Sequence, residues 1–425
     1  MRKFLFGFIC FLLLILAGCQ SSTPVSVKEP ELPKDIRALS IKWQEDRLFY
    51  LTDQGVQAFF PSDSTTITLM SGDISQRDIS WANFFLSPDK SKYILITIGS
   101  FDNTLEVRDA TKDASIMLLN TEKYRLGSDG HKPYINEAGW LDNENIFFST
   151  SYRLFSVNIS TGEEVQITEE YSPEITGLSH NCEVPYLYWS TKVTQLKDKL
   201  YYNSRRNLKF PPSIYAADKS GEQELIKDAE ILIPVNETSF VYSRESKDGD
   251  FNTFLFDIET KKSVLISDKN LLSDGIFRTN NSKLCFMTGD TTGGIYQGTI
   301  FDPVTLQQIT YEMYNGPRDF PDEDKDRHQF SHFLGAFERD EEYIFLFSVA
   351  NLDKSKGEYA NKYLAYSTKT QKLTQTGDYG DTWLVYMYLN PSGKYIAVTK
   401  HNSPGDDDFP FDIVSTTELL VTAGD

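Results

Sequence analysis

The chain has 425 residues and a formal net charge of −19. Such a surface argues against nucleic acid, whose affinity depends on Lys and Arg neutralising phosphates. It would also be repelled by an anionic bilayer, so any membrane attachment has to be covalent. Aromatic residues make up 13%, with 29 Phe and 23 Tyr, and long apolar stripes at helical spacing are missing. The composition suits half-buried strands and excludes a helical solenoid.

At the amino terminus Arg2 and Lys3 precede an apolar run of 13 residues, Phe4 to Leu16, which is short for a bilayer span. The run leads into Leu16-Ala17-Gly18-Cys19, which resembles the lipobox of bacterial lipoproteins. The resemblance implies cleavage between Gly18 and Cys19 and a lipid on the Cys19 sulfur. Residues 1–18 would be the signal peptide, and 19–35, rich in Ser, Pro, Glu and Lys, the lipidated cysteine and a flexible tether. The expected address is the extracytoplasmic side of the cell envelope. That means the outer face of the plasma membrane in a Gram-positive cell, or the outer membrane in a Gram-negative one, where Gln20 favours that sorting.

From Ile36 to the carboxyl terminus, short apolar strands alternate with tight polar turns. The first unit reads Ile36–Trp43, Leu48–Thr52, Val56–Phe60 and Thr66–Met70. In the seventh, Leu334–Glu338, Tyr343–Val349, Lys362–Ser367 and Lys372–Thr376 are expected strands. The eighth reads Trp383–Leu389, Tyr395–Lys400, Phe411–Val414 and Glu418–Thr422. First turns fall near residues 44, 88, 142, 197, 236, 280, 339 and 390, a mean step of about 49 residues. Second hairpins, such as Asn158-Ile159-Ser160-Thr161-Gly162 and Asp302-Pro303-Val304-Thr305, recur at a mean step of about 51. An Asp, Asn or Ser at their start can cap the turn through its side chain. Four strands every 40–60 residues predict an all-β fold, a β-propeller of four-stranded blades over residues 36–425. Eight blades fit the spacing, with seven as the alternative. The closed ring is expected to be monomeric. Four strands in the last unit make a borrowed closing strand unnecessary, although a swap at Ile36 is allowed.

Asn390-Pro391-Ser392-Gly393-Lys394-Tyr395-Ile396-Ala397 and Asp248-Gly249-Asp250-Phe251-Asn252-Thr253-Phe254-Leu255-Phe256-Asp257 are similar to the two halves of the repeat in TolB-type, WD-repeat-like propellers. The resemblance implies the fold and says little about activity.

No G-x-S-x-G, C-x-x-C, H-E-x-x-H or Gly-rich phosphate loop occurs. No catalytic residue, cofactor or metal is assigned, and the reading leans away from an enzyme. His328 and His332 have the i, i+4 spacing of a helical chelate, but at a strand entry they would lie roughly 13 Å apart. Asp248, Asp250, Asn252 and Glu259 fit positions of a calcium loop, but Thr253 replaces its glycine and a strand follows. Cys182 and Cys285 fall in different units and are expected as buried free thiols.

Three insertions depart from the repeat. Two are acidic: Asp319 to Asp326, with Asp322, Glu323 and Asp324, and Asp406-Asp407-Asp408-Phe409-Pro410. The third is basic, around Arg205 and Arg206. They are the candidate partner-binding loops, since propeller strands are occupied with packing. The leading expectation is a non-catalytic binding or scaffold module for a protein or cell-envelope ligand, with no nucleic-acid partner. The alternatives are an extracytoplasmic enzyme acting on polysaccharide or peptide, and a sensory accessory of a membrane complex.

Overall fold

Two polar turns at opposite ends of the chain fold alike. Ser87 N–H donates to Lys92 O and Lys90 N–H to Ser87 O, while Asn390 N–H donates to Tyr395 O and Gly393 N–H to Asn390 O. The third residue after each start is left-handed, φ 61° at Lys90 and 72° at Gly393. Side chains complete the turns. Asn390 Oδ1 accepts from Lys394 and Tyr395 N–H at 2.9 and 3.1 Å. Asp89 Oδ1 accepts from Ser87 Oγ and Ser91 N–H, and these bonds hold its carboxyl down at a pKa of about 2. The second hairpins use the same device: Asp257 Oδ1 accepts from Thr260 N–H at 2.7 Å, and Asn158 Oδ1 from Thr161 N–H at 2.9 Å.

The computed structural model describes residues 32–34, 36–72, 79–99, 103–124, 135–150, 153–168, 193–204, 211–218, 221–246, 251–268, 275–279, 281–289, 295–315, 328–353, 358–376, 384–401 and 409–421. Strand β1 is Ile36–Ala38. Blade 1 holds β2 to β5 (Ser40–Gln44, Arg47–Thr52, Gly55–Phe60, Thr65–Ser71). Blade 2 holds β6 to β9 (Ile79–Leu86, Lys92–Gly99, Asn103–Asp109, Ser115–Leu118). Blade 3 holds β10 to β13 (Ile135–Trp140, Asn145–Thr150, Leu154–Asn158, Glu164–Gln166). Blade 4 holds β14 to β17 (Thr194–Leu196, Lys199–Ser204, Ser213–Asp218, Gly221–Ile226). Blade 5 holds β18 to β21 (Ala229–Asn236, Ser239–Glu245, Phe251–Asp257, Lys262–Ser267). Blade 6 holds β22 to β25 (Ile276–Arg278, Leu284–Gly289, Ile295–Phe301, Gln308–Asn315). Blade 7 holds β26 to β29 (His328–Arg339, Glu342–Asp353, Glu358–Ser367, Lys372–Gln375). Blade 8 takes β30 to β32 (Leu384–Leu389, Tyr395–His401, Phe409–Ser415). The eight sheets have four strands each, so the protein is an eight-bladed β-propeller.

The apolar interior is divided in the same way. Eight clusters of buried side chains each draw on two neighbouring blades. One joins blades 1 and 2 through Phe49, Leu51, Phe84 and Tyr93, and another joins 6 and 7 through Met287, Tyr314, Phe345 and Phe347. Blades 8 and 1 share Trp43, Tyr50, Ala397 and Phe411. First strands of neighbouring blades touch, as β2 does β6 and β30. Fourth strands carry mostly exposed residues and form the rim.

Closure corrects the sequence reading. The expected strand Ile36–Trp43 is two strands: Ser40–Gln44 begins blade 1, whereas Ile36–Ala38 pairs with β32 and completes blade 8. The expected eighth-blade strand Glu418–Thr422 is not one; Thr416–Val421 is a short helix, α1. Ser415 Oγ caps it by accepting from Glu418 N–H at 3.0 Å, and Leu419 is buried between blades 7 and 8. Ser415-x-x-Glu418 is the letter pattern of a capping box, which outweighed the short apolar run that suggested a strand. Phe409 and Pro410, expected in a loop, open β32.

Candidate functional site

Antiparallel alternation gives the propeller two unlike faces. First-to-second and third-to-fourth turns lie on one face, where they are short and internally bonded. Second-to-third and fourth-to-first connections leave from the other face. Arg205 and Arg206 lie outside the described residues, as do Asp319, Asp322, Glu323 and Asp324, and Asp406, Asp407 and Asp408. The strands that flank them can be placed. β15 ends at Ser204 and β16 starts at Ser213, β25 ends at Asn315 and β26 starts at His328, and β31 ends at His401 and β32 starts at Phe409. All six ends are on the second face.

Blade 7 reaches further toward that face than its neighbours. β27 runs nine residues past Ile344, against five past Leu284 in β23 and five past Ile396 in β31. The excess carries the β27–β28 hairpin roughly 13 Å further, at about 3.3 Å per residue. Its last pair is Asp353↔Glu358. Two register shifts in β26, at Phe330/His332 and Phe333/Gly335, accompany the extension. The sequence reading had stopped these strands short, at Leu334 and Val349.

The inner wall is built by the first strands, whose side chains alternate. On β2, Ile41 and Trp43 pack between blades 8 and 1. Ser40, Lys42 and Gln44 turn to blade 2, where Ser40 Oγ accepts from Ala82 N–H at 2.9 Å and Gln44 Oε1 from Leu86 N–H at 3.3 Å. Between them Lys42 Nζ donates to Asn83 Oδ1 at 2.5 Å and sits 3.9 Å from the centroid of the Phe85 ring. Glu137, on β10 of blade 3, lies within electrostatic reach. Burial pulls the Lys42 pKa down to about 8, and the Glu137 carboxylate opposes the shift.

On blade 8 this wall is aromatic. On β30, Met387 and Leu389 pack between blades 7 and 8, so Tyr386 and Tyr388 face the other way. They are 36% and 38% exposed, with ring centroids 6.3 Å apart. His332 of β26 meets Tyr386 edge-on at 6.4 Å. In ring order, blades 7, 8, 1, 2 and 3 therefore contribute His332, the two tyrosines, Lys42, Asn83 with Phe85, and Glu137.

Polar side chains also tie the wall together. Trp43 Nε1 donates to Tyr388 O at 2.7 Å, Trp140 Nε1 to Phe85 O at 2.9 Å, Gln195 Nε2 to Leu141 O at 3.1 Å and Arg278 Nη1 to Val235 O at 3.0 Å. Each donor precedes its blade's first turn, and each acceptor belongs to the preceding blade.

Apart from His332, weighed only as half of a histidine pair, none of these wall residues was singled out from the sequence. The available signal was modest: a lysine inside the apolar strand Ile41–Trp43, and tyrosines on one phase of a strand whose other phase is already apolar. His328 and His332 do lie on one strand rather than a helix. Among the described residues no group of three His, Cys, Asp or Glu could hold a metal ion. Asp248 and Asp250 lie outside the described residues, and Asn252 is in β20. Cys285 is a buried free thiol, and Cys10, Gly18, Cys19 and Cys182 lie outside the described residues.

No family model and no curated protein matches the sequence. Among solved structures, the chain is similar to the WD40 domain of SCAP from fission yeast, at 11% identity and a TM-score of 0.51, covering 92% of this chain and 98% of that one. It is similar to dipeptidyl peptidase 4 of Porphyromonas gingivalis, also at 11% identity and 0.51, over 89% of this chain but only 58% of that one. A putative TolB from Agrobacterium tumefaciens aligns at 15% identity and a TM-score of 0.34, covering 55% and 81% of the two chains. At these identities the likeness is one of fold alone: the chain is a β-propeller with TolB-like and WD40 neighbours of varied function.

Proposed function

We propose that this chain is an extracytoplasmic lipoprotein, anchored through Cys19, whose propeller is a non-catalytic binding or scaffold module for a protein or cell-envelope ligand. The observation that carries the reading is the asymmetry of the two faces. One face carries short capped turns, whereas the strands flanking all three charged insertions, and the extended β27–β28 hairpin, end at the other. Loops on a rigid scaffold are where binding residues accumulate. The test is cross-linking and pull-down from membranes with the full chain and with Arg205→Glu/Arg206→Glu and Asp322→Lys/Asp324→Lys variants. A specific protein or peptidoglycan partner lost in the variants is expected; no stable partner with the unsubstituted chain would overturn the reading. For the anchor, Cys19→Ser should release the protein from membranes, and normal lipid labelling of that variant would refute the lipobox.

One observation favours the enzyme reading. Burial pulls the Lys42 pKa down to about 8, with the Glu137 carboxylate within electrostatic reach, and a lysine so shifted is a candidate general base. Turnover on a panel of glycans and peptides, abolished by Lys42→Met or Glu137→Gln, would establish it.

A further inference from the structure

We propose that the inner wall spanning blades 7, 8, 1, 2 and 3 is a binding site for an uncharged saccharide. The inference rests on the binding-module reading and names the ligand class for residues other than those of the charged insertions.

The argument starts from exposure. On other first strands Phe84, Phe333 and Phe337 are buried between blades, and Phe85 and Phe277 are partly buried. Tyr386 and Tyr388 are exposed, although they sit two residues apart on an equally interior strand and their neighbours Met387 and Leu389 are packed. With ring centroids 6.3 Å apart and ring planes tilted by 38°, the two tyrosines form a small exposed aromatic platform. Such a platform suits the C–H face of a pyranose ring, which is flat, weakly apolar and of similar width to a tyrosine ring.

Further along the same inner wall, on blades 1, 2 and 3, are an ammonium, an amide and a carboxylate, from Lys42, Asn83 and Glu137. A sugar hydroxyl both donates and accepts, so it needs donors and acceptors set beside one another. Lys42 supplies donors, Glu137 acceptors and Asn83 both. Lys42 and Glu137 also compensate each other's charge, so this stretch of wall selects for no net charge. An anionic ligand would meet the Glu137 carboxylate and the field of a chain with net charge −19. A metal is not needed for such recognition.

The experiment is titration calorimetry of the full-length chain in detergent micelles with maltotriose and triacetylchitotriose as neutral probes, trigalacturonate as the anionic one and a tripeptide as the peptide one. At least one neutral probe should bind at up to millimolar concentration. Tyr386→Ala and Tyr388→Ala should each weaken it about threefold to tenfold, the worth of one aromatic stacking partner. Tyr388→Phe, which keeps the ring, should retain most of the affinity and controls for folding, together with unchanged thermal unfolding of all variants. The proposal is overturned if no neutral probe binds, if binding survives in the double alanine variant, or if only trigalacturonate or the tripeptide binds. If the sugars fail while the pull-down still recovers a partner through the charged loops, the wall site falls and the binding-module reading stands.

Discussion

Replacing Ile36 by proline should open the ring at its weakest joint, and replacing Arg37 should not. Seven blades are held by turns between all four strands, whereas in blade 8 the fourth strand, β1, is attached to β32 only by side-to-side pairing. The backbone parity is set by Ile413, whose N–H donates to Pro33 O at 3.0 Å. Odd-numbered residues of β32 therefore bond toward β1. Phe411 is odd and pairs with Ile36, so those two exchange both backbone bonds, while Arg37 sits opposite Pro410 in the non-bonded position. Ile36→Pro removes an N–H donor, worth about 1 kcal/mol. It also strands the carbonyl of the fully buried Phe411, at about 1–2 kcal/mol more. Loss of the half-buried isoleucine side chain adds roughly 1 kcal/mol. The sum is about 3–4 kcal/mol. Arg37→Pro removes an N–H that points off the sheet edge, where proline is tolerated, and should cost under about 1 kcal/mol. Urea denaturation followed by tryptophan fluorescence reports both, because Trp43 packs in the cluster that this joint closes. Equal losses for the two variants, or a larger loss for Arg37→Pro, would refute the parity and with it the closure.

Three further outcomes are expected. Gly55→Ala should destabilise by about 3 kcal/mol or more, since φ there is +128° and an added Cβ would lie 1.9 Å from Met70 O; a thermal midpoint within error of the parent would contradict this geometry. Cys285 should resist iodoacetamide in the folded chain and react once it is denatured, because burial pushes its thiol pKa far up; peptide mapping that found it alkylated under native conditions would contradict the buried position. The Lys42 pKa is lowered on folding, so the unfolded chain binds the extra proton between about pH 8 and 10.5. The stability difference between the parent and Lys42→Met should therefore rise across that window, by at most on the order of 3 kcal/mol, and stay flat below it. A difference that falls with pH would mean that Lys42 is held as a stabilised cation.

The parts of this protein that could be read from its letters are those whose physics is local. A turn such as Asn390–Tyr395 closes within five residues and carries its own acceptor in the asparagine side chain. Each hairpin pairs strands a few residues apart, so a period of about 50 residues recurs and eight blades could be counted. The Ser415-x-x-Glu418 cap was local too; it was missed because a short apolar run fits a strand as well as a helix. Other features depend on residues that meet only once the ring has closed. Ile36 pairs with Phe411 across almost the whole chain, and nothing in either segment specifies the other beyond a buried edge to be filled. Lys42, Asn83 and Glu137 stand on separate blades, and Tyr386 and Tyr388 reach the same wall from the far end of the sequence. Turn chemistry and strand period determined the repeat and its number. The tertiary structure alone decided which strand seals the ring and which side chains share its inner wall, because both depend on packing between blades rather than within them.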